Sequence, residues 1–310
     1  MTATADELGA VGAALGTRGQ RHAPLGARTT YRVGGTAALL VEPADEDELL
    51  AVAAAVNGAR VPVLVIGRGS NLLVADRGFD GLVVALGGGF EAIEVDGHQV
   101  LAGAAVSLPV LARRTAAAGL SGLEWAVGVP GSVGGAVRMN AGGHGSDTAA
   151  SLVAYRWVDL RTGAAAEAPA EELQMAYRHT SLAPSDVVVA ARFGLDDGDP
   201  EQGAATIADI VRWRRANQPG GSNAGSVFTN PEGDSAGRLV EAAGLKGFRL
   251  GSARVSEKHA NFIQADEGGS ADDVANLIAH VRATVAAKTG VDLTTEVRMA
   301  GFDADPPGQW

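Results

Sequence analysis

The sequence VPVLVIGRGSNLL, at residues 61–73, joins a continuous apolar run to a turn of glycine, serine and asparagine. A short apolar run of this kind predicts a strand that is covered on both faces. At its end, glycines let backbone amides approach a ligand phosphate without obstruction by a side chain. Residues 67–73, the first glycine-rich turn, are therefore a candidate diphosphate site, and a purely structural turn is the alternative. The turn is not a dinucleotide-binding G-x-G-x-x-G motif, because Leu72 occupies the last glycine position.

Residues 128–143 form a second glycine-rich stretch, with the sequence GVPGSVGGAVRMNAGG. This stretch has two interpretations. It is either a packed structural loop or a backbone-lined ligand cleft that includes Asn140.

Helices and strands alternate outward from the first glycine-rich turn. An acidic box at residues 45–48 predicts a helix start, and Asp96-Gly97 predicts a hairpin turn between two strands. The clearest helix begins at Ser270 and ends at Gly290, with apolar residues at helical spacing between them. Further helices are predicted at 49–56, 108–118, 205–215 and 235–243, and further strands at 38–42, 82–86, 153–160, 187–193 and 293–299.

Composition excludes several classes of function. The net charge of -11 argues against general nucleic-acid binding, so an anionic ligand requires a local basic site. The chain has no cysteine, which excludes disulfides and thiolate chemistry. Histidine spacing does not suggest a metal site. The N-terminal residues lack the pattern of a signal peptide, and no apolar run approaches the roughly 20 residues of a membrane span, so we expect a cytoplasmic protein without a membrane partner.

A set of short motifs, each weak alone, occurs in one order along the chain. The motifs lie at residues 30–35, 69–73, 131–142, 177–178, 218–219, 224–231, 242–247, 255–263 and 296–297. In this order they resemble the MurB family of UDP-N-acetylenolpyruvoylglucosamine reductases, over about residues 25–302. The short separation of Arg178 from Ser226 resembles the type II branch. Departures from the family pattern are Arg68 in place of glycine, Asn217 near a type I lysine, and Gly143-His144 in place of Ala-Tyr.

The resemblance implies an α+β fold with two domains. A two-lobed FAD-binding domain of the vanillyl-alcohol-oxidase (PCMH) type is expected at residues 20–196, with lobes at about 20–88 and 89–196. A C-terminal α+β substrate-binding domain is expected at residues 204–304. The polar, turn-rich residues 196–201 independently predict a boundary between the two.

The resemblance also implies the reaction. The family reduces UDP-N-acetylglucosamine enolpyruvate to UDP-N-acetylmuramate for peptidoglycan synthesis, with FAD as cofactor and NADPH as co-substrate. No cysteine or histidine occupies an evident attachment position, so the FAD is expected to be non-covalent. The expected partner is this small-molecule substrate, with no obligate protein partner.

The resemblance assigns roles to residues that are unremarkable alone. Arg178 and Glu296 are the expected catalytic stabilisers of the substrate carboxylate, and Ser226 is the expected proton donor. The expected FAD contacts are Gly67, Arg68, Gly69, Ser70, Asn71, Leu72, Gly131, Ser132, Gly134, Gly135, Asn140 and Gly142. The expected substrate contacts are Tyr177, Arg214, Asn230, Lys246 and Arg298. Without the resemblance, Arg178 reads as a solvated surface residue, and Glu296 with Arg298 as an exposed ion pair at a strand edge.

Other functions remain as alternatives. One is an oxidase of the same flavin fold that acts on another small molecule, and another is a flavin-binding regulator without turnover. A serine hydrolase is poorly supported, because Phe228 stands where the second glycine of a G-x-S-x-G elbow around Ser226 would be.

Overall fold

A computed structural model describes residues 5–302 of the chain. Two predictions fall partly outside this range. Residues 1–4 belong to the N-terminus in which no signal peptide was predicted, and residues 303–304 belong to the predicted C-terminal domain. Within the described range, no helix is both long enough and apolar enough to span a membrane.

The described residues form seven α-helices and 18 β-strands. The helices are α1 (Ala5–Leu15), α2 (Glu46–Val56), α3 (Leu108–Ala117), α4 (Val133–Met139), α5 (Pro200–Asn217), α6 (Ala236–Ala242) and α7 (Ala271–Thr289). The strands are β1 (Gly19–Pro24), β2 (Thr36–Val41), β3 (Val63–Ile66), β4 (Leu72–Val74), β5 (Phe79–Ala85), β6 (Ile93–Asp96), β7 (Gln99–Gly103), β8 (Leu120–Ser121), β9 (Gly142–Gly143), β10 (Ser146–Asp147), β11 (Leu152–Asp159), β12 (Ala165–Pro169), β13 (Asp186–Gly194), β14 (Asp196–Asp197), β15 (Arg249–Leu250), β16 (Ala253–Val255), β17 (Ile263–Ala265) and β18 (Arg298–Ala300).

The first sheet has the strand order β1-β2-β5-β3 and carries helices α1 and α2. Asp45 accepts a hydrogen bond from the Glu48 amide at 2.9 Å, and the Glu48 side chain accepts one from the Ala44 amide, so the predicted capping box of α2 is confirmed. Strand β3 lies at the sheet edge. Its Leu64 and Ile66 are buried in one hydrophobic cluster, and Val63 and Val65 are partly buried against another, so both faces are covered, one of them incompletely. A cavity adjoins this edge.

The second sheet is antiparallel, with the order β12-β11-β13-β7-β6. The predicted hairpin is confirmed, with Asp96 paired to Gln99. Residues of the second glycine-rich stretch form helix α4, which packs against this sheet, so the prediction of a loop throughout was incomplete. The helix is stabilised because Ser132 accepts from the Gly135 amide and because Val133 and Val137 are buried in the core.

The C-terminal part consists of the sheet β15-β16-β17, packed against α7, with α6 beside α7. Helix α7 confirms the prediction, with Ser270 as its N-cap and Gly290 in the left-handed conformation at its end. The predicted strand at 293–299 was mostly wrong, since only β18 is regular. Upstream of β18 the chain is bonded irregularly to a loop: the Val227 carbonyl accepts from the Glu296 amide at 2.8 Å.

Two contacts cross the predicted domain boundary. Strand β18 pairs in parallel with β4, which directly follows the first glycine-rich turn. Helix α5 packs against α3, and its Ile207 and Ile210 are buried in the same core as Leu111. The domain limits remain predictions, but the C-terminal segment is joined to both parts of the preceding chain.

Asp76, in the loop after β4, caps helix α7 from a distant part of the sequence. One carboxylate oxygen accepts from the Ala271 amide at 2.9 Å, and the other accepts from the Ser270 hydroxyl at 2.5 Å and the Asp272 amide at 3.3 Å. A negative charge at a helix N-terminus is favourable because backbone amides there are unpaired. Asp76 therefore stabilises both α7 and the junction that holds β18 beside β4.

We expect Asp76→Ala to lower the free energy of unfolding by about 1 to 2 kcal/mol, because α7 loses a charged cap. Urea denaturation monitored by circular dichroism measures this change. The matched control is Asp80→Ala, because Asp80 is exposed on β5. Equal effects of the two substitutions would contradict the capping role.

Candidate active site

A cavity of about 640 Å³ lies between β3, the two glycine-rich segments and the C-terminal part of the chain. This volume lies within the range of cofactor and small-molecule sites. Most predicted site residues line it: Gly67, Arg68, Gly69, Ser70, Asn71, Leu72, Gly131, Ser132, Gly135, Gly142, Arg178, Arg214, Ser226, Glu296 and Arg298. Gly134, Asn140, Tyr177, Asn230 and Lys246 are not part of the lining.

The two glycine-rich segments meet at Gly67 and Ser132. A Cβ atom at position 67 would overlap the Ser132 hydroxyl oxygen. At Gly69 the backbone has φ +60°, and a Cβ would overlap the Arg28 carbonyl. A larger residue at position 67 would displace the Ser132 side chain, and one at position 69 would collide with the Arg28 backbone in a left-handed conformation, so glycine is most strongly required at position 69.

Arg178 and Glu296 form an ion pair on the cavity wall. Arg178 Nε donates to Glu296 Oε1 at 2.8 Å, and the two side chains are 22% and 15% exposed. The other guanidinium nitrogens donate to the carbonyls of Gly142, at 3.0 Å, and Asn140, at 3.4 Å. Arg178 is therefore fixed to the end of the second glycine-rich stretch, with its charge facing the cavity.

Burial raises the pKa of Glu296, and the charge and hydrogen bond of Arg178 act in the opposite direction. The net shift is upward, because the loss of hydration disfavours the carboxylate more than the ion pair favours it. A carboxyl group with a raised pKa can retain its proton and act as a hydrogen-bond donor.

Asn71, in the first glycine-rich turn, holds the backbone on either side of Val297. Its side-chain amide donates to the Glu296 carbonyl at 3.0 Å, and its own carbonyl accepts from the Arg298 amide at 3.0 Å. The first glycine-rich turn is therefore bonded directly to the backbone of Glu296 and Arg298.

Ser226 lies on a partly buried loop that Asn261 fixes in place. The Asn261 side chain accepts from the Phe228 amide at 3.0 Å and donates to the Phe228 carbonyl at 2.8 Å, while its carbonyl accepts from the Val227 amide. The Val227 carbonyl accepts in turn from the Glu296 amide. Asn261 lies in the motif at residues 255–263, but it was not among the predicted site residues.

Two predicted FAD contacts, Gly134 and Asn140, lie outside the cavity lining and contact other protein groups. The Gly134 amide donates to the Ala104 carbonyl, and a side chain at position 134 would collide with Ala104. Asn140 is buried, and its side chain donates to Ala176 and accepts from the Ala149 amide. Both residues shape the second glycine-rich stretch from behind the cavity wall.

The predicted substrate contacts divide into two groups. Arg214 and Arg298 line the cavity. Tyr177 is 59% exposed, with its ring 5.0 Å from the Arg178 guanidinium carbon. Asn230 accepts from the amide of Ala236, at the start of α6, and Lys246 is paired with Glu241. The structure does not bring these last three residues into the cavity lining.

The cavity is strongly basic in an acidic protein. The described residues contribute five arginines and one carboxylate to its lining, namely Arg68, Arg138, Arg178, Arg214, Arg298 and Glu296. Arg138 is absent from the predicted site residues, although it lies within the second glycine-rich stretch. Such an excess of positive charge fits an anionic ligand, as the overall charge of the chain required.

The described residues include no group of three or more histidine, aspartate or glutamate side chains arranged to hold a metal ion.

Comparison with known proteins defines the class of this site. Residues 37–168 match the model of an FAD binding domain, and residues 217–300 match the C-terminal domain of UDP-N-acetylenolpyruvoylglucosamine reductase. The chain is therefore a flavin-dependent oxidoreductase with the predicted α+β fold, an FAD-binding domain followed by a C-terminal domain.

Full-length relatives define the family. The chain is 44% identical over 292 residues to a UDP-N-acetylenolpyruvoylglucosamine reductase from Heliobacterium modesticaldum, covering 92% of each chain. It is 42% identical over 281 residues to one from Rubrobacter xylanophilus, covering 90% of this chain and 94% of the relative. The crystal structure of the enzyme from Thermus caldophilus superposes with a TM-score of 0.80 at 36% identity, covering 90% and 98% of the two chains. The chain belongs to the UDP-N-acetylenolpyruvoylglucosamine reductase family, which confirms the resemblance seen in the sequence.

We expect Arg178→Gln to raise the pKa of Glu296 further, because burial then acts without the opposing guanidinium charge. Titration of ¹³C-labelled glutamate carboxyl groups by NMR measures the pKa, with Glu296→Gln identifying the resonance. Arg192→Gln, which removes an exposed partner of Glu167 outside the cavity, is the control. An unchanged or lowered pKa in the Arg178 variant would show that the pair does not control this carboxyl group.

Proposed function

We propose that the protein catalyses the NADPH-dependent, FAD-mediated reduction of UDP-N-acetylglucosamine enolpyruvate to UDP-N-acetylmuramate, a peptidoglycan precursor. The observation that carries this proposal is the convergence of Arg178, Ser226 and Glu296 on one cavity that also includes both glycine-rich segments. Membership of the reductase family supports the same substrate.

FAD fits the residues that line the cavity. Gly67, Gly69 and Ser70 of the first glycine-rich turn line the cavity, where backbone amides can bind a diphosphate. The chain has no cysteine, so a thioether link to the flavin cannot form, and we propose non-covalent attachment. Bound FAD supplies hydride transfer between NADPH and substrate, which no side chain can perform.

Arg178 and Glu296 are proposed to stabilise charge on the substrate. Addition of hydride to the terminal enolpyruvyl carbon leaves negative charge on the adjoining carbon and the carboxylate. The Arg178 guanidinium, held rigidly by Gly142 and Glu296, stabilises this charge electrostatically. Glu296 has a raised pKa, and in its protonated form it donates a hydrogen bond to the same group.

Ser226 is proposed to donate a proton to the carbon next to the carboxylate. A serine hydroxyl is a weak acid, so the transfer requires an electron-rich acceptor within hydrogen-bond distance. The bonds from Asn261 to Val227 and Phe228 fix the loop that carries Ser226, which supports the positional accuracy that this step needs.

Arg214 is proposed to bind an anionic group of the substrate. We assign Arg214 to the substrate, because it lines the cavity and Gln218 orients its guanidinium through a 2.8 Å hydrogen bond. Roles for Tyr177, Asn230 and Lys246 remain predictions, as do a cytoplasmic location and the lack of an obligate protein partner.

Purified protein with FAD, NADPH and the enolpyruvyl nucleotide tests the activity directly. We expect a yellow protein that releases its flavin on denaturation, and NADPH consumption that depends on the nucleotide. Consumption independent of the nucleotide would reject the proposal. Rapid reoxidation by oxygen, coupled to turnover of a different substrate, would instead indicate an oxidase.

We expect Ser226→Ala to lower the rate of substrate reduction by about 10²- to 10⁴-fold, because the proton donor is lost. FAD binding and flavin reduction by NADPH should survive, which stopped-flow absorbance can measure separately from turnover. Ser121→Ala, on β8 and outside the cavity lining, is the matched control. Full turnover in the Ser226 variant would contradict its role as proton donor.

A further inference from the structure

Arg138 is a cavity arginine that the proposed reaction does not use. It lies in the last turn of α4, and its backbone carbonyl accepts from the Thr180 hydroxyl at 2.8 Å. One guanidinium nitrogen donates to the Ala183 carbonyl at 2.9 Å. The other terminal nitrogen, Nη1, is buried and has no hydrogen-bond partner among the described residues.

No carboxylate of the described residues neutralises Arg138 by direct contact. It forms no ion pair within the described chain, although Asp186 is near enough to influence it electrostatically. Arg298 is also near, and its like charge acts against that of Arg138. Burial lowers the pKa of both guanidinium groups.

A partly buried cation whose Nη1 is buried and unpaired, beside a second cation, is unfavourable in the protein alone. The loss of hydration is compensated only when an opposite charge and a hydrogen-bond acceptor are supplied. Both arginines line the cavity, so a ligand there can supply them. The missing partner therefore has the chemistry of an anion with oxygen or nitrogen acceptors.

The segments that carry Arg138 and Arg298 favour the cofactor as the source of that anion. Arg138 belongs to the segment that matches the FAD binding domain. The Arg298 amide donates to the carbonyl of Asn71, in the first glycine-rich turn. Both residues are thus built onto the elements proposed to hold FAD, whereas Ser226 lies on a separate C-terminal loop.

We propose that Arg138 and Arg298 together bind an anionic group of the flavin cofactor. This group is either the diphosphate or the reduced ring. This inference rests on the proposed FAD binding and moves Arg298 from the substrate to the cofactor. Arg138 supplies the unpaired donor Nη1. Arg298 adds the second charge.

The test compares Arg138→Gln and Arg138→Lys with the wild-type protein. If the pair binds the diphosphate, we expect Arg138→Gln to weaken FAD affinity by about 10- to 100-fold, the usual effect of losing a charged hydrogen bond. If the pair binds the reduced ring, affinity for oxidised FAD changes little and the midpoint potential of the bound flavin becomes more negative. Arg138→Lys should restore part of either effect, since it keeps the charge without the planar fork.

Opposite outcomes overturn the inference. Unchanged FAD affinity and unchanged potential, with a raised KM for the nucleotide, would assign the anion to the substrate. Unchanged values of all three would leave the pair without a ligand role. If the wild-type protein itself bound no FAD, the proposed function would fail, and this result is distinct from failure of the Arg138 variants alone.

Thermal unfolding separates a ligand role from a structural one. Removing a partly buried and incompletely compensated charge should leave the Tm of the FAD-free protein unchanged or higher in Arg138→Gln, while the rise in Tm on adding FAD becomes smaller. Arg192→Gln, outside the cavity, should keep the full FAD-dependent rise. A Tm of the FAD-free Arg138 variant that falls, with an undiminished FAD-dependent rise, would identify Arg138 as structural.

Discussion

The hydrogen bonds of Asn71 hold the candidate site together. Through its side chain and its backbone, this residue joins the first glycine-rich turn to Glu296 and Arg298. The parallel pairing of β4 with β18 continues the same contact. A segment near the C-terminal end of the described chain is thereby placed against a turn more than two hundred residues earlier in sequence. The same contacts therefore position both the first glycine-rich turn and Glu296 on the cavity wall.

Electrostatics of the cavity follow from this assembly. The whole chain has a net charge of -11, whereas the cavity lining carries five arginines against one carboxylate. The ion pair with Glu296 offsets part of the desolvation cost of Arg178. The pKa of Glu296 is raised nonetheless, so burial has a larger effect on this pKa than the nearby guanidinium. Such a site is unfavourable when empty and favourable when it holds anions. Binding of an anion would offset the cost of holding these charges close together, as is expected where function requires preorganised charge.

The sequence predicted those parts of the fold that local interactions determine. The cap at Asp45, the hairpin at Asp96 and the helix from Ser270 to Gly290 were all predicted from short-range patterns and are present. Helix α4 was missed because its two internal glycines disfavour a helix in isolation, and packing on the second sheet overrides that preference. The alternating apolar and polar residues at 293–299 predicted a strand that is mostly absent. The backbone of this segment bonds to the loop that carries Ser226 rather than to a neighbouring strand.

The candidate site shows the same difference between features set by local sequence and features set by tertiary packing. Spacing alone gave Arg178, Ser226 and Glu296 no common location, and only the order of motifs suggested that they converge. Asn261 and Arg138 were not identified, because an amide that satisfies a loop and a guanidinium nitrogen without a partner are properties of packing. Polar groups of these two kinds become visible only when burial and hydrogen bonds are known together. A satisfied buried amide indicates a fixed backbone, whereas an unsatisfied buried cation beside a cavity indicates a ligand that completes it.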